Sequence, residues 1–194
     1  MKICLLADTN SQNFHGANLR EKTENLLNTL NFEIKTIVLD GREIFPCLGC
    51  FKCWLTTPGL CIITKDEVNN IAKQVINSDA LVFLSQISYG GYSYDTKAFL
   101  DRFIPNISPF FEIVQGETHH KKRYKKYPMM ISIGYGSPNQ QENLTFKKLA
   151  QRNALNFRSP HFAVMTVEDS SDFETVVRAF LLNAGIIKET NQYE

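Results

Sequence analysis

Ala80-Leu81-Val82-Phe83-Leu84 is an unbroken apolar run, flanked by Asp79 and Ser85. A strand with no polar alternation is one covered on both faces, as at the centre of a parallel sheet. Outward from it the chain alternates short apolar runs with stretches of helical spacing. Residues 2–7 predict a first strand, 32–39 a second, 129–133 a fourth and 162–167 a fifth. A helix over 19–30 sets Leu19, Leu26, Leu27 and Leu30 near one face, with Asn18 as cap and Glu21 placed as in a capping box. Helices follow over 65–77, with Val68, Ile71, Ala72, Val75 and Ile76 inward, then over 96–104, 141–153 and 172–183, the last closed by Gly185.

Five strands alternating with helices predict an α/β fold. The expected form is a flavodoxin-like, doubly wound, five-stranded parallel sheet of order 2-1-3-4-5 with helices on both faces. Ligands of such sheets sit beyond the carboxyl ends of the strands, at the switch point between strands one and three. At 194 residues the chain is expected to be one domain, residues 1–194. It carries a cysteine loop at 46–61 and a basic insertion at 105–128.

Composition narrows the function. Lys and Arg number 21 against 20 Asp and Glu, a net charge of +1, which gives no general drive toward nucleic acid or an anionic membrane. No apolar run approaches a membrane span. The apolar start of the chain stops at Asp8, too early for a signal peptide. A cytoplasmic protein is therefore expected, and five cysteines, an odd number, then favour metal or redox chemistry over disulfides.

Three loops fall at one sheet edge in this topology: 8–18, 85–94 and 134–139, all rich in Gly, small hydroxyls or Tyr. Small residues let a backbone approach a ligand closely, and tyrosines offer flat faces with a polar tip. The first loop leads into a helix N-terminus, which favours a phosphate. Together they suit an aromatic ring with a phosphate tail.

Cys47-Leu48-Gly49-Cys50-Phe51-Lys52-Cys53, closed by Cys61, has the spacing C-x2-C-x2-C-x7-C. Compact C-x2-C-x2-C runs are typical of iron–sulfur ligation. Metal-free thiols, zinc and a disulfide are the other readings; zinc usually takes two C-x2-C pairs set further apart. Cys4 reads as a small core residue. In the insertion, His119-His120-Lys121-Lys122-Arg123 reads as a solvated basic loop, and a lid, a subunit contact or a landing site for an anionic partner is its functional alternative.

The chain resembles the flavodoxin-like NAD(P)H-dependent FMN reductases, and among them the iron–sulfur flavoproteins. The resemblance is carried by Pro46 to Trp54 with Pro58-Gly59-Leu60-Cys61, and by Ser85-Gln86-Ile87-Ser88-Tyr89-Gly90-Gly91-Tyr92-Ser93 running into Lys97 to Arg102. It implies FMN at the switch point and NAD(P)H as co-substrate. Thr9, Ser11, Gly16, Ala17, Asn18 and Leu19 would hold the phosphate. Ser85, Gln86, Ile87, Ser88, Tyr89 and Gly90 would contact ring and ribityl chain, with Tyr135 and Gly136 flanking the ring. Where relatives often read Gly-Ser-Pro-Arg, this chain has Asp8-Thr9-Asn10-Ser11.

The resemblance also implies that Cys47, Cys50, Cys53 and Cys61 hold a [4Fe–4S] cluster, and that the protein is a dimer or tetramer. Electrons would pass from NAD(P)H through flavin to a quinone, flavin, nitro compound or protein. The rival readings are an electron carrier fed by a ferredoxin-like partner and a thiol or metal redox sensor. No side chain is named as catalytic, because the cofactor carries the hard chemistry.

Overall fold

Five parallel strands carry the fold: β1 (Lys2–Ala7), β2 (Glu33–Val38), β3 (Ala80–Ser88), β7 (Met129–Tyr135) and β8 (Phe162–Val167). The computed structural model describes residues 1–8, 14–39, 42–137, 139–167 and 173–187. The strand order is β2-β1-β3-β7-β8, the doubly wound order expected. Register runs Ile3 to Ala80 and Ala7 to Leu84 between β1 and β3, then Leu84 to Ile133 between β3 and β7.

Side chains alternate between two cores. Cys4, Leu6, Leu81 and Phe83 pack with α3 (Val68–Ile76), α4 (Tyr94–Asp101) and α5 (Gln140–Asn156). Ile3, Leu5, Val82 and Leu84 pack on the other face with α1 (Phe14–Thr29) and α6 (Phe173–Asn183). Covering both faces is what lets the 80–84 run be apolar throughout. Burial pushes the Cys4 thiol up to about 12, so it stays protonated and inert as a core residue. Among the described residues no helix is long and apolar enough to cross a membrane.

Three segments differ from the sequence expectation. Helix α1 begins at Phe14, not at 19, so Asn18 lies inside it and is not the cap. The helix absorbs Gly16 because Tyr135 packs there: a Cβ at Gly16 would lie 2.4 Å from the tyrosine hydroxyl. Strand β3 does not stop at Leu84 but runs on through Ser88, and Tyr89 (φ 50) and Gly90 (φ 77) then turn the chain back into β4 (Gly91–Tyr92). Two successive positive φ values match the right-handed twist of a tight hairpin.

The insertion is the third. Its centre is not a loop but an antiparallel hairpin, β5 (Ile107–Val114) with β6 (Glu117–Lys122). Gln115 (φ 52) and Gly116 (φ 82) make its turn, and Phe110, Phe111, Ile113 and Val114 supply strand propensity. The pairs Arg158–Glu112 and Arg152–Glu117 tether it to the α5 side. His119 is buried beside Glu117, whereas His120 stacks between Trp54 and Phe111, so strand alternation sends the two histidines to opposite faces.

Tyr92 is buried rather than offered to a ligand; its hydroxyl meets the Ser132 hydroxyl at 3.1 Å, and burial pushes its pKa up to about 12. Tyr92→Phe is expected to lose about 1 kcal/mol, since the bond goes and Ser132 loses a partner. Urea unfolding with an unchanged slope is the check; no loss at all would show the pair to be idle.

Candidate functional site

The carboxyl ends of β1, β3 and β7 meet at one buried carboxylate. Asp8 follows directly on β1 and is 5% exposed. The Ser85 hydroxyl donates to its Oδ2 at 2.8 Å, the Gln86 N–H donates at 2.9 Å, and the Tyr135 hydroxyl donates to Oδ1 at 3.1 Å. The knot extends further: the Ser93 N–H donates to Ser85 Oγ at 3.1 Å, and Ser93 Oγ caps α4 by accepting from the Thr96 N–H. Burial pushes the Asp8 pKa up, against the hydrogen bonds from Ser93, Ser85, Gln86 and Tyr135, which pull it down.

This edge is where the sheet order reverses, the position at which doubly wound folds take ligands. Of the residues expected there, Gly16, Ser85, Gln86 and Tyr135 are brought together around Asp8. Gly136 (φ 82) follows, packed against the Gln86 side chain. Leu19 is fully buried and turns to the core, so only its backbone belongs to α1's ligand side. Helix α1 starting at Phe14 moves the free N–H groups of its first turn upstream of Asn18 and Leu19. Ile87 is core and Ser88 is exposed. Tyr89 is 96% exposed at the hairpin tip, and Gly90 packs on Thr145 of α5. Tyr135 is fully buried and shows no open face to a ring. Thr9 and Ser11 lie outside the described residues.

The cysteine loop is built separately. Left-handed Gly49 (φ 63) and Phe51 (φ 54) turn the chain before the single helical turn α2 (Lys52–Leu55). Cys47, Cys50, Cys53 and Cys61 together line a cavity of about 280 Å³, with Phe51, Ile62, Ile63, Arg102, Ile104 and Pro105. Cys47 and Cys50 are exposed and Cys53 is buried. The Cys53 pKa is raised, first by burial and then by the neighbouring Cys61, Cys47 and Cys50. The Gly49 N–H points at Cys47 Sγ, 3.5 Å away. Among the described residues no group of three or more His, Cys, Asp or Glu side chains is arranged to hold a metal ion.

What fixes this loop is a buried ion pair that sequence reading missed. Arg102 and Asp66 pair with both side chains fully buried. Arg102 also donates to the Phe45 carbonyl at 3.2 Å and the Ile63 carbonyl at 2.9 Å, one on each side of the cysteines. Asp66 accepts from the Phe45 N–H at 3.1 Å and the Val68 N–H at 3.2 Å. One guanidinium and one carboxylate therefore staple the entry and exit of the loop. Asn69 holds Cys61 by accepting from its N–H and donating to its carbonyl, both at 2.9 Å. Trp54 braces the outside: its Nε1 donates to the Ile107 carbonyl at 3.0 Å, and its ring lies between Phe51 and His120. The available signals were Arg102 between the helix-ending Asp101 and the apolar Phe103-Ile104, and a lone carboxylate, Asp8, directly after a buried strand.

The chain is similar in part to two iron–sulfur flavoproteins. An iron–sulfur flavoprotein of Methanocaldococcus jannaschii is 34% identical over 73 residues, 38% of this chain and 36% of the relative. One from Archaeoglobus fulgidus is 28% identical over 79 residues, 41% of this chain and 34% of the relative. The matches thus span about a third of the length of these curated relatives. In structure, the chain is similar in fold to an NAD(P)H:quinone oxidoreductase from Methanothermobacter marburgensis, with a TM-score of 0.68 at 10% identity over 100% of this chain and 99% of that one. The sequence profile of the NADPH-dependent FMN reductases matches residues 1–169, nearly the whole chain with both the Asp8 edge and the cysteine loop, and the protein belongs to that family.

Proposed function

We propose that the protein is a flavin-dependent oxidoreductase that takes electrons from NAD(P)H onto FMN and passes them to a further acceptor. The observation that carries this reading is the meeting of three strand ends at Asp8, in a chain of the FMN reductase family. Bound FMN would supply two-electron and one-electron redox chemistry at one site. The protein's part is to bind and orient it. Gln86 would present its side-chain amide, held in place by the Ser85–Asp8 knot behind it, Gly136 leaves the backbone reachable, and the N-terminal turn of α1 with Thr9 and Ser11 would take the phosphate. The small residues fit the group, and among the described residues the carboxylate of Asp8 opposes its phosphate.

The cysteines are read as ligands of a [4Fe–4S] cluster. A four-iron cubane takes four thiolates, and the four cysteines of the C-x2-C-x2-C-x7-C run line one cavity. The cluster would supply one-electron steps beside the flavin. Five free cysteines fit a reducing, cytoplasmic setting. The acceptor is a quinone, flavin, nitro compound or protein, and the quinone oxidoreductase among the structural neighbours supports the first.

A second reading rests on the rim of the cysteine cavity. Leu48, Phe51, Leu55 and Leu60 are all exposed. Such a cluster is the mark of a protein contact. It favours a dimer or tetramer closing over the loop, or a ferredoxin-like partner exchanging electrons there.

The test is an absorbance spectrum of protein purified without oxygen, with iron and acid-labile sulfide counted on the same sample. The expected result is a flavin spectrum bleached by NAD(P)H over a broad cluster band, with about four irons per chain. Flavin without iron leaves a plain FMN reductase. No flavin bound after added FMN overturns the proposal, and flavin that only a protein donor reduces favours the carrier.

A further inference from the structure

Among the described residues, one nitrogen of the Arg102 guanidinium is left without a partner. Its two terminal nitrogens are engaged by Asp66 and the Phe45 and Ile63 carbonyls, but Nε is buried with no hydrogen-bond partner among the described residues. Folded proteins leave few buried donors unpaired, and each calls for an explanation. Arg102 lines the four-cysteine cavity. The other walls there are largely apolar: Phe51, Ile62, Ile104 and Pro105 bring no side-chain acceptor. The Asp101 carboxylate, also in the lining, is taken by Lys97 at 2.6 and 2.7 Å. The side-chain acceptors left in the wall are the cysteine sulfurs.

We infer that Arg102 Nε–H donates a hydrogen bond to a sulfur, thiolate or inorganic sulfide, of the centre held by Cys47, Cys50, Cys53 and Cys61. This rests on the cluster reading above. A guanidinium is a planar fork, so pinning both terminal nitrogens to the two ends of the loop also fixes where Nε points. The same group thus positions the ligands and touches the centre. Hydrogen bonds to cluster sulfurs disperse the charge of the reduced state and raise the reduction potential. Arg102 is a positioning residue with an electronic effect.

The experiment uses holoprotein grown with 15N-arginine, the cluster reduced to its paramagnetic state, and pulsed EPR to read 15N hyperfine coupling. A coupling is expected in the wild-type protein and none in Arg102→Lys, which keeps the charge but lacks Nε–H. A redox titration should place the R102K cluster at a more negative potential. A paramagnetic cluster without 15N coupling overturns the inference, as does a coupling or potential unchanged in R102K. Where R102K does not fold, the wild-type coupling decides alone, because Arg102 is the one arginine lining this cavity among the described residues. Wild-type protein without iron sinks the cluster reading itself, and this inference with it.

Discussion

Arg102→Ala is expected to destabilise the protein by about 3–5 kcal/mol, the largest single effect outside the hydrophobic core. Removing one partner of a fully buried ion pair leaves the other charge without compensation, and that penalty exceeds the worth of the pair itself. Here Asp66 would be left in the interior, and the Phe45 and Ile63 carbonyls would each lose a donor. For a chain of this length the melting temperature should fall by about 6–20 °C. Because the lost bonds sit at the loop's entry and exit, the cysteines should loosen with them, and Cys53 should react faster with a thiol reagent. Replacing both partners, Arg102→Met with Asp66→Leu, should recover much of the stability and leave the loop loose. A loss below about 1 kcal/mol in the single variant would show that the pair does not bear on the fold.

Asp8→Asn should tighten FMN binding by about tenfold at pH values where the wild-type carboxylate is ionised. Charges on the order of 10 Å apart at an effective dielectric of about 20 interact by about 1.7 kcal/mol, and the substitution removes one such repulsion from the phosphate. The carbonyl oxygen of the replacement amide can still accept from Ser85 and Gln86, and its NH2 would face the Tyr135 hydroxyl, which can turn to accept. The pH dependence has a definite sign. The folded Asp8 pKa is raised by burial, so its contribution to stability is fully present below the unfolded value and is lost as pH rises through the folded one. FMN affinity should follow the same course in the wild-type protein, stronger as Asp8 takes up its proton and weaker as it loses it. The variant should lack that step. Fluorescence titrations of FMN at several pH values would decide. Equal affinities and parallel pH profiles would mean that the carboxylate and the phosphate do not sense each other.

The sheet was legible because its strands are buried on both faces and interrupted by polar turns, so runs such as 80–84 could hardly belong elsewhere. The cysteine loop was legible from spacing alone. What escaped were features that depend on contacts distant in sequence. Gly16 reads as a loop residue until Tyr135, far along the chain, is seen filling the space beside it. Ser85 to Ser88 look like a ligand loop because they are polar and small, yet they continue β3, paired to β7 as far as Gln86 and to β4 beyond it. The hairpin was hidden because basic residues dominate one half of the insertion and draw attention from the strand-forming half. Asp8 and Arg102 are charged residues at the borders of apolar runs. Nothing local distinguishes a staple from a residue at the end of an element; only the partners Asp66, Phe45 and Ile63, or Ser85, Gln86 and Tyr135, do so.

The hairpin has a bearing on how copies of the protein behave when crowded. Strand β5 pairs with β6, and it displays Phe110, Phe111 and Ile113 to solvent. A strand with a free edge and greasy side chains is a template for open-ended stacking of one molecule on the next. Pro109 and the register shift between Ile107 and Phe111 roughen that edge. Lys121, Lys122 and Lys125 follow as a cationic guard, so two molecules approaching hairpin to hairpin bring like charges together. That guard is electrostatic and therefore screened, over a distance of about 8 Å at physiological ionic strength and about 3 Å in molar salt. The basic run then acts as a colloidal brake, one that concentrated salt or a polyanion releases.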